Sequence, residues 1–193
     1  VVTGNGEALL SSSPERFLQV DPTGRVETRP IKGTRPRHSN PDRDADMAAE
    51  LVCSDKDRAE NVMIVDLLRN DLGHVCIPGS IQVSQLLGLE SYPAVHHLTS
   101  VVEGQLQPGL NWVDLLRACW PGGSISGAPK LRACQRLQEL EPTSRGPYCG
   151  SLIRIDWDGR FDSNILIRTL MRKDHMLRAH AGCGIVADSD PDG

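Results

Sequence analysis

Apolar and polar positions alternate through Arg16-Phe17-Leu18-Gln19-Val20 and again through Arg25-Val26-Glu27-Thr28-Arg29. Between the two runs lies Asp21-Pro22-Thr23-Gly24, a turn sequence, so the pattern predicts an antiparallel hairpin. Ala8 to Ser12 reads as extended too. Pro14 then disfavours regular pairing and offers Glu15 at a strand start or bulge. After the hairpin comes Pro30-Ile31-Lys32-Gly33-Thr34, read as a loop in which proline and glycine restrict how the Lys32 stem can point.

Ser39-Asn40-Pro41-Asp42 is a helix start: Ser39 or Asn40 can cap, proline suits the first turn, and Asp42, Asp44 and Asp46 complement the positive helix end. A second helix, from about Lys56 to Leu72, contains Val62-Met63-Ile64-Val65-Asp66-Leu67-Leu68, apolar around its circumference, which predicts burial on most sides. Asp66 is the exception, and Arg69 is its natural ion-pair partner.

From Val75 to Gln105 the pattern predicts short extended segments broken by Pro78-Gly79, Gly88 and Pro93. His96 and His97 are adjacent in one of them and therefore point to opposite faces. Asn111 to Trp120 is a short amphipathic helix, and the glycine-rich stretch Pro121 to Lys130 leads into a helix reaching Leu140. Ser126 and Pro129 mark that helix start, whose free amides suit an anion; the spacing of a nucleotide-binding P-loop is missing. Tyr148 to Trp157 and Phe161 to Met171 alternate as strands about the turn Asp158-Gly159, and Met176 to Ala181 is a last strand leading to the small residues from Gly182 to Ala187.

The 193 residues, 39% hydrophobic and 24% charged with a net charge of −4, describe a soluble globular chain of one domain's size. With 4% aromatic residues and no basic stripe, a nucleic-acid partner is not expected. No apolar run approaches the length of a membrane span, and no secretory signal opens the chain. The absence of an initiator methionine and the strand-like start suggest that the natural N-terminus lies elsewhere. Six cysteines without a C-x-x-C pair read as reduced thiols of a cytoplasmic protein.

Four features bear on chemistry. A desolvated Lys32 would be a usable nucleophile. Asp57 and Glu60, three residues apart on one helix face, repel each other unless a cation separates them; a divalent metal is one reason to keep them there, and compensation of the helix end by charge, with Lys56 and Arg58 nearby, is the reading that spacing alone favours. Arg168, within the apolar Ile165 to Leu170 run, needs either an internal carboxylate or a ligand carboxylate. None of the cysteines lies in a Gly-x-Cys-x-Gly elbow, so the chain carries no amidotransferase nucleophile.

Seven segments in order resemble the chorismate-utilising enzymes: Ser13 to Phe17, Pro30 to Thr34, Asp57 to Asn61 followed by Asp66 to Asp71, Ala94 to Leu98, Gly123 to Lys130, Ile167 to Thr169 and Ala181 to Ala187. The resemblance covers nearly the whole chain and is strongest to the branch that makes aminodeoxychorismate. It implies an α+β fold in which two large antiparallel β-sheets pack together with outer helices and the site between them. Residues 1–193 would be part of a chorismate-binding catalytic domain, incomplete at both ends. Also implied are chorismate as substrate, Mg2+ as cofactor and a glutamine amidotransferase subunit supplying ammonia.

Position by position, the resemblance makes Glu60 a metal ligand and Asp57 an outer carboxylate holding a metal-bound water. Arg168 and Tyr148 would clamp the enolpyruvyl carboxylate, and Ser124 with the Gly182 and Gly184 backbone would line the substrate. Glu15 and His97, rather than His96, would flank the departing ring hydroxyl. Lys32 would be a covalent nucleophile, since the anthranilate-forming relatives carry alanine there.

Overall fold

The computed structural model describes residues 1, 6–185 and 189, and shows ten strands and five helices among them. The predicted hairpin is present as β2 (Arg16–Val20) and β3 (Arg25–Arg29), with β1 (Glu7–Ser11) before it. The segment around Lys32, expected as a loop, is instead a strand, β4 (Ile31–Pro36). Helices α1 (Pro41–Cys53) and α2 (Asp55–Gly73) follow, then β5 (Gln82–Ser91) and β6 (Val95–Gln105). Helix α3 (Trp112–Cys119), the single turn α4 (Gly123–Ser126) and α5 (Lys130–Leu140) precede β7 (Ile153–Ile155), β8 (Phe161–Asn164), β9 (Thr169–Lys173) and β10 (Met176–Ala179).

The strands form two antiparallel sheets. The larger has seven strands in the order β4-β6-β3-β2-β8-β7, with β5 also on β6; the smaller has three, β1-β9-β10. Because β6 is long, β3 and β4 lie along it in succession, β3 opposite Val102 to Gln105 and β4 opposite Val95 to Thr99. Pro30 stands between them, where a missing N–H costs nothing in pairing, and its carbonyl still accepts from the Ser100 amide at 3.2 Å. The broken segments expected over 75–105 are thus two long paired strands: Gly88 sits at an irregularity inside β5 and Pro93 in the turn to β6.

Phe161 to Met171, expected as one strand, is divided between the sheets, with β8 in the larger and β9 in the smaller. The preceding stretch pairs only over Ile153 to Ile155. β1 and β2 are divided between the sheets in the same way, so two crossings pass from one sheet to the other side by side. They are tied by the Ser12 amide to the Arg168 carbonyl (3.1 Å), the Ile165 amide to the Glu15 carbonyl (3.1 Å), and the Ser13 hydroxyl to the Ile165 carbonyl.

The core gathers Phe17, Leu18, Val26, Val65, Leu72, Val102, Leu115, Phe161 and Ile165, with Trp112 stacked on Phe161 at a 5.5 Å centroid distance. Each large apolar side chain buried there contributes about 1.5–3 kcal/mol relative to exposure. Ser54 caps α2, and Asn61 inside that helix donates to the Leu98 carbonyl (3.1 Å) and accepts from the Ser100 hydroxyl, which fixes α2 against β6. α2 is not buried on most sides as its composition suggested: Val62 and Met63 are 38% and 40% exposed. One side packs, with Asn61, Ile64, Val65, Leu68, Asp71 and Leu72 buried, and Asp66 faces outward, paired with Arg69 at 3.2 Å as expected. Among the described residues no helix is long and apolar enough to cross a membrane.

Candidate active site

Lys32 lies in a bulge. Ile31 is opposite Thr99 and Thr34 opposite His97, so three steps along β4 match two along β6 and one extra residue is inserted at Lys32-Gly33. Gly33 takes φ +87°, and a Cβ there would come within 2.7 Å of Leu51 and 2.9 Å of Asp57. Glycine is required on both counts, and it brings the Lys32 segment against the start of α2. The Lys32 ammonium donates to the Ser124 carbonyl at 3.1 Å.

Glu15 is buried at the β1–β2 crossing and lines one small cavity with Ser124. Burial pushes its carboxyl above the usual carboxylate range, opposed by Ser124 and by the nearby charge of Lys32. Glu15, Lys32 and Ser124 therefore form one polar cluster, backed by Phe17, Thr28, Ile64 and Leu68. Ser124 belongs to α4, whose Gly123 lies against Leu67 so closely that a Cβ would approach it to 2.3 Å. Ser126, expected at the helix start, donates to the Gly122 carbonyl at 3.1 Å, and α5 begins at Lys130 without a side-chain cap.

The two histidines point to opposite faces, as the strand period requires. His96 turns to α1 and is held by Asp44 (3.1 Å) and Ser91 (2.8 Å). His97 bonds the Thr34 hydroxyl (2.9 Å) and packs beside Tyr92. Burial lowers its pKa, and the Arg168 charge lowers it further, favouring the neutral ring. Its hydrogen bond goes to Thr34, two residues beyond Lys32, rather than to Lys32 or Glu15.

Arg168 is not inside an apolar strand but on the bend between β8 and β9, exposed and at φ +48°. Among the described residues its guanidinium makes no hydrogen bond or ion pair. A non-glycine residue in the left-handed region costs of order 1 kcal/mol and usually accompanies a function. Tyr148 packs against His180 at 5.5 Å, and its hydroxyl is 3.1 Å from where a Cβ on Gly182 would stand. Gly184 lies beside Glu60 in ordinary contact, a Cβ there standing 3.7 Å from Oε2. The end of the chain thus links Tyr148 to the start of α2; Val186 and Ala187 lie outside the described residues.

Asp57 has a partner that spacing did not reveal: Arg35, which reaches Asp57 at 3.2 Å, Glu50 at 2.9 Å and the Thr34 carbonyl at 3.0 Å. A basic residue in the strand opposite, rather than Lys56 or Arg58 on the same helix, compensates Asp57. Among the described residues no three metal-ligating side chains converge. The two carboxylates are nevertheless hard oxygen donors of the kind Mg2+ takes, and Glu60, half-buried beside an open glycine backbone, is free to bind one. Asp57, already paired, suits an outer position.

A sequence profile described as chorismate binding enzyme matches residues 1–193. The chain is 51% identical over 183 residues to aminodeoxychorismate synthase component 1 of Salmonella typhimurium, a match covering 95% of this chain and 40% of that protein. It is 48% identical to anthranilate synthase component 1 1 of Haloarcula marismortui, over 97% of this chain and 38% of the other. The crystal structure of anthranilate synthase component I from Streptococcus pneumoniae superposes with a TM-score of 0.86 at 38% identity, covering 97% of this chain and 41% of that one. The chain spans about 40% of the length of the curated relatives it matches. With the whole sequence matched and the fold shared, this chain belongs to the family of chorismate-binding enzymes.

Proposed function

We propose that the complete protein is component I of an aminodeoxychorismate synthase, converting chorismate and ammonia to 4-amino-4-deoxychorismate on the route to p-aminobenzoate and folate. The Lys32–Ser124–Glu15 cluster carries this reading, because it places an amine and a protonatable carboxyl beside one serine. The Lys32 amine attacks the ring carbon next to the ring carboxylate, the double bonds shift, and the 4-hydroxyl departs as water with a proton from Glu15. Burial keeps that proton on Glu15 to higher pH than usual, as a general acid requires. Ammonia then adds at the vacated carbon, the double bonds return and Lys32 is expelled. Neutral His97 stands on the adjacent strand as a hydrogen-bonding partner for the hydroxyl.

Arg168 and Tyr148 would hold the enolpyruvyl carboxylate, the unpaired guanidinium offering a planar fork for it. Mg2+, when bound, would supply positive charge to a substrate carboxylate, with Glu60 as its ligand and Asp57 outside it. A glutamine amidotransferase subunit would supply the ammonia in the cytoplasm, a setting that the six free cysteines support. The test is product analysis of the complete protein with chorismate, Mg2+ and ammonium salt. Aminodeoxychorismate is expected; anthranilate would overturn the reading.

A further inference from the structure

Lys130 closes a loop. The chain leaves α3 at Cys119, runs through α4 and returns at the first residue of α5, where the Lys130 ammonium donates back to the Cys119 carbonyl at 2.9 Å. The same ammonium is held by the Asp71 carboxylate of α2 at 2.6 Å. Both side chains are largely buried, with 17% and 6% exposed, so their charges are partners for each other rather than for water. Burial raises the Asp71 pKa, opposed first by its hydrogen bond to Lys130.

Midway round this loop stands Ser124, which accepts from Lys32 through its carbonyl and lines a small cavity with Glu15. The loop is also pressed down at its centre: Cβ atoms on Gly122 and Gly123 would approach Ile165 to 3.0 Å and Leu67 to 2.3 Å. Lys130 and Asp71 fix the ends; Gly122 and Gly123 fix the height. We propose that Lys130, held by Asp71, is a positioning residue that sets where Ser124 stands, with its carbonyl on Lys32 and its side chain beside Glu15.

The inference rests on the aminodeoxychorismate synthase reading and is tested in the complete protein by ammonia-dependent turnover of Lys130→Met, Lys130→Gln and Asp71→Asn. Misplacement of reacting groups lowers kcat, so Lys130→Met and Asp71→Asn should lose roughly 10- to 100-fold in kcat with little change in KM. Lys130→Gln, whose amide can still donate to the Cys119 carbonyl, should recover part of that loss. The pH–rate limb governed by Glu15 should move upward, because the Ser124 side chain that favours its charged form is displaced. Unchanged kcat and pH profile in any variant that folds, with loss of melting temperature alone, would overturn the inference, as would a rise in KM at constant kcat. Failure of the wild-type protein to make aminodeoxychorismate would instead overturn the reading beneath it.

Discussion

The Lys32 ammonium and the Ser124 carbonyl are 3.1 Å apart, joined across the gap between a bulged strand and a single helical turn that lie 92 residues apart in the chain. The Ser124 side chain stands beside Glu15 in one cavity. Ser124→Ala should leave the Lys32 contact, which uses the backbone, and remove the hydroxyl beside Glu15. We expect the Glu15-dependent limb of the pH–rate profile to rise while chorismate binding changes by less than about fivefold, the loss of one hydrogen bond being worth about 1 kcal/mol or less in binding. Equilibrium titration with chorismate beside the pH profile checks both parts.

Glu15 has a stability signature of its own. Its carboxyl is held above the unfolded value, so the folded state binds more protons, and stability falls as pH rises from the unfolded pKa through the folded one. Glu15→Gln removes that dependence. The variant should gain stability relative to wild type as pH increases from about 4.3, reaching a constant difference above the folded pKa, while losing activity. Urea midpoints between pH 5 and 8 measure it; a difference independent of pH would contradict the assignment.

At Arg168 backbone and side chain pull apart. Arg168→Gly relieves the φ of +48° and removes a guanidinium without an internal partner, so melting temperature should hold or rise. Chorismate affinity should fall by about 1–3 kcal/mol, the range for a charged hydrogen bond. Arg168→Lys, which keeps the charge and loses the fork, should fall between the two.

Gly33→Ala tests the coupling of Lys32 to α2. The added methyl would sit 2.7 Å from Leu51 and 2.9 Å from Asp57 at a φ of +87°, so we expect a loss of about 1–3 kcal/mol in stability. Displacement of Asp57 should also raise the Mg2+ concentration needed for half-maximal activity. Thermal unfolding and a Mg2+ titration read the two effects separately.

Much of this was legible in the sequence. The β2–β3 hairpin, both long helices and the opposite facing of His96 and His97 follow from period and turn chemistry alone. Lys32 was misread as a loop residue because Pro30 and Gly33 are local breakers, whereas the long partner β6 continues past both and imposes a strand. Arg168 was misread because the apolar run Ile165 to Leu170 carries no mark of the change of sheet; a left-handed residue other than glycine leaves no signature in composition. The ties from Arg35 to Asp57 and from Lys130 to Asp71 span 22 and 59 residues, and pairing at such separation is decided by topology. The glycines at 182 and 184, expected to open the backbone to a ligand, stand near Tyr148 and Glu60.

The central claim is that Lys32 bonds covalently to the ring. Its most direct test is peptide mass spectrometry of the complete protein quenched during turnover of chorismate with Mg2+ and no ammonia, beside Lys32→Ala. The account predicts a mass increase on the peptide containing Lys32 equal to chorismate less one water, discharged when ammonium is added and absent from the variant, which forms no aminodeoxychorismate at the wild-type rate. An unmodified Lys32 in wild type, together with undiminished aminodeoxychorismate formation by Lys32→Ala, would contradict it.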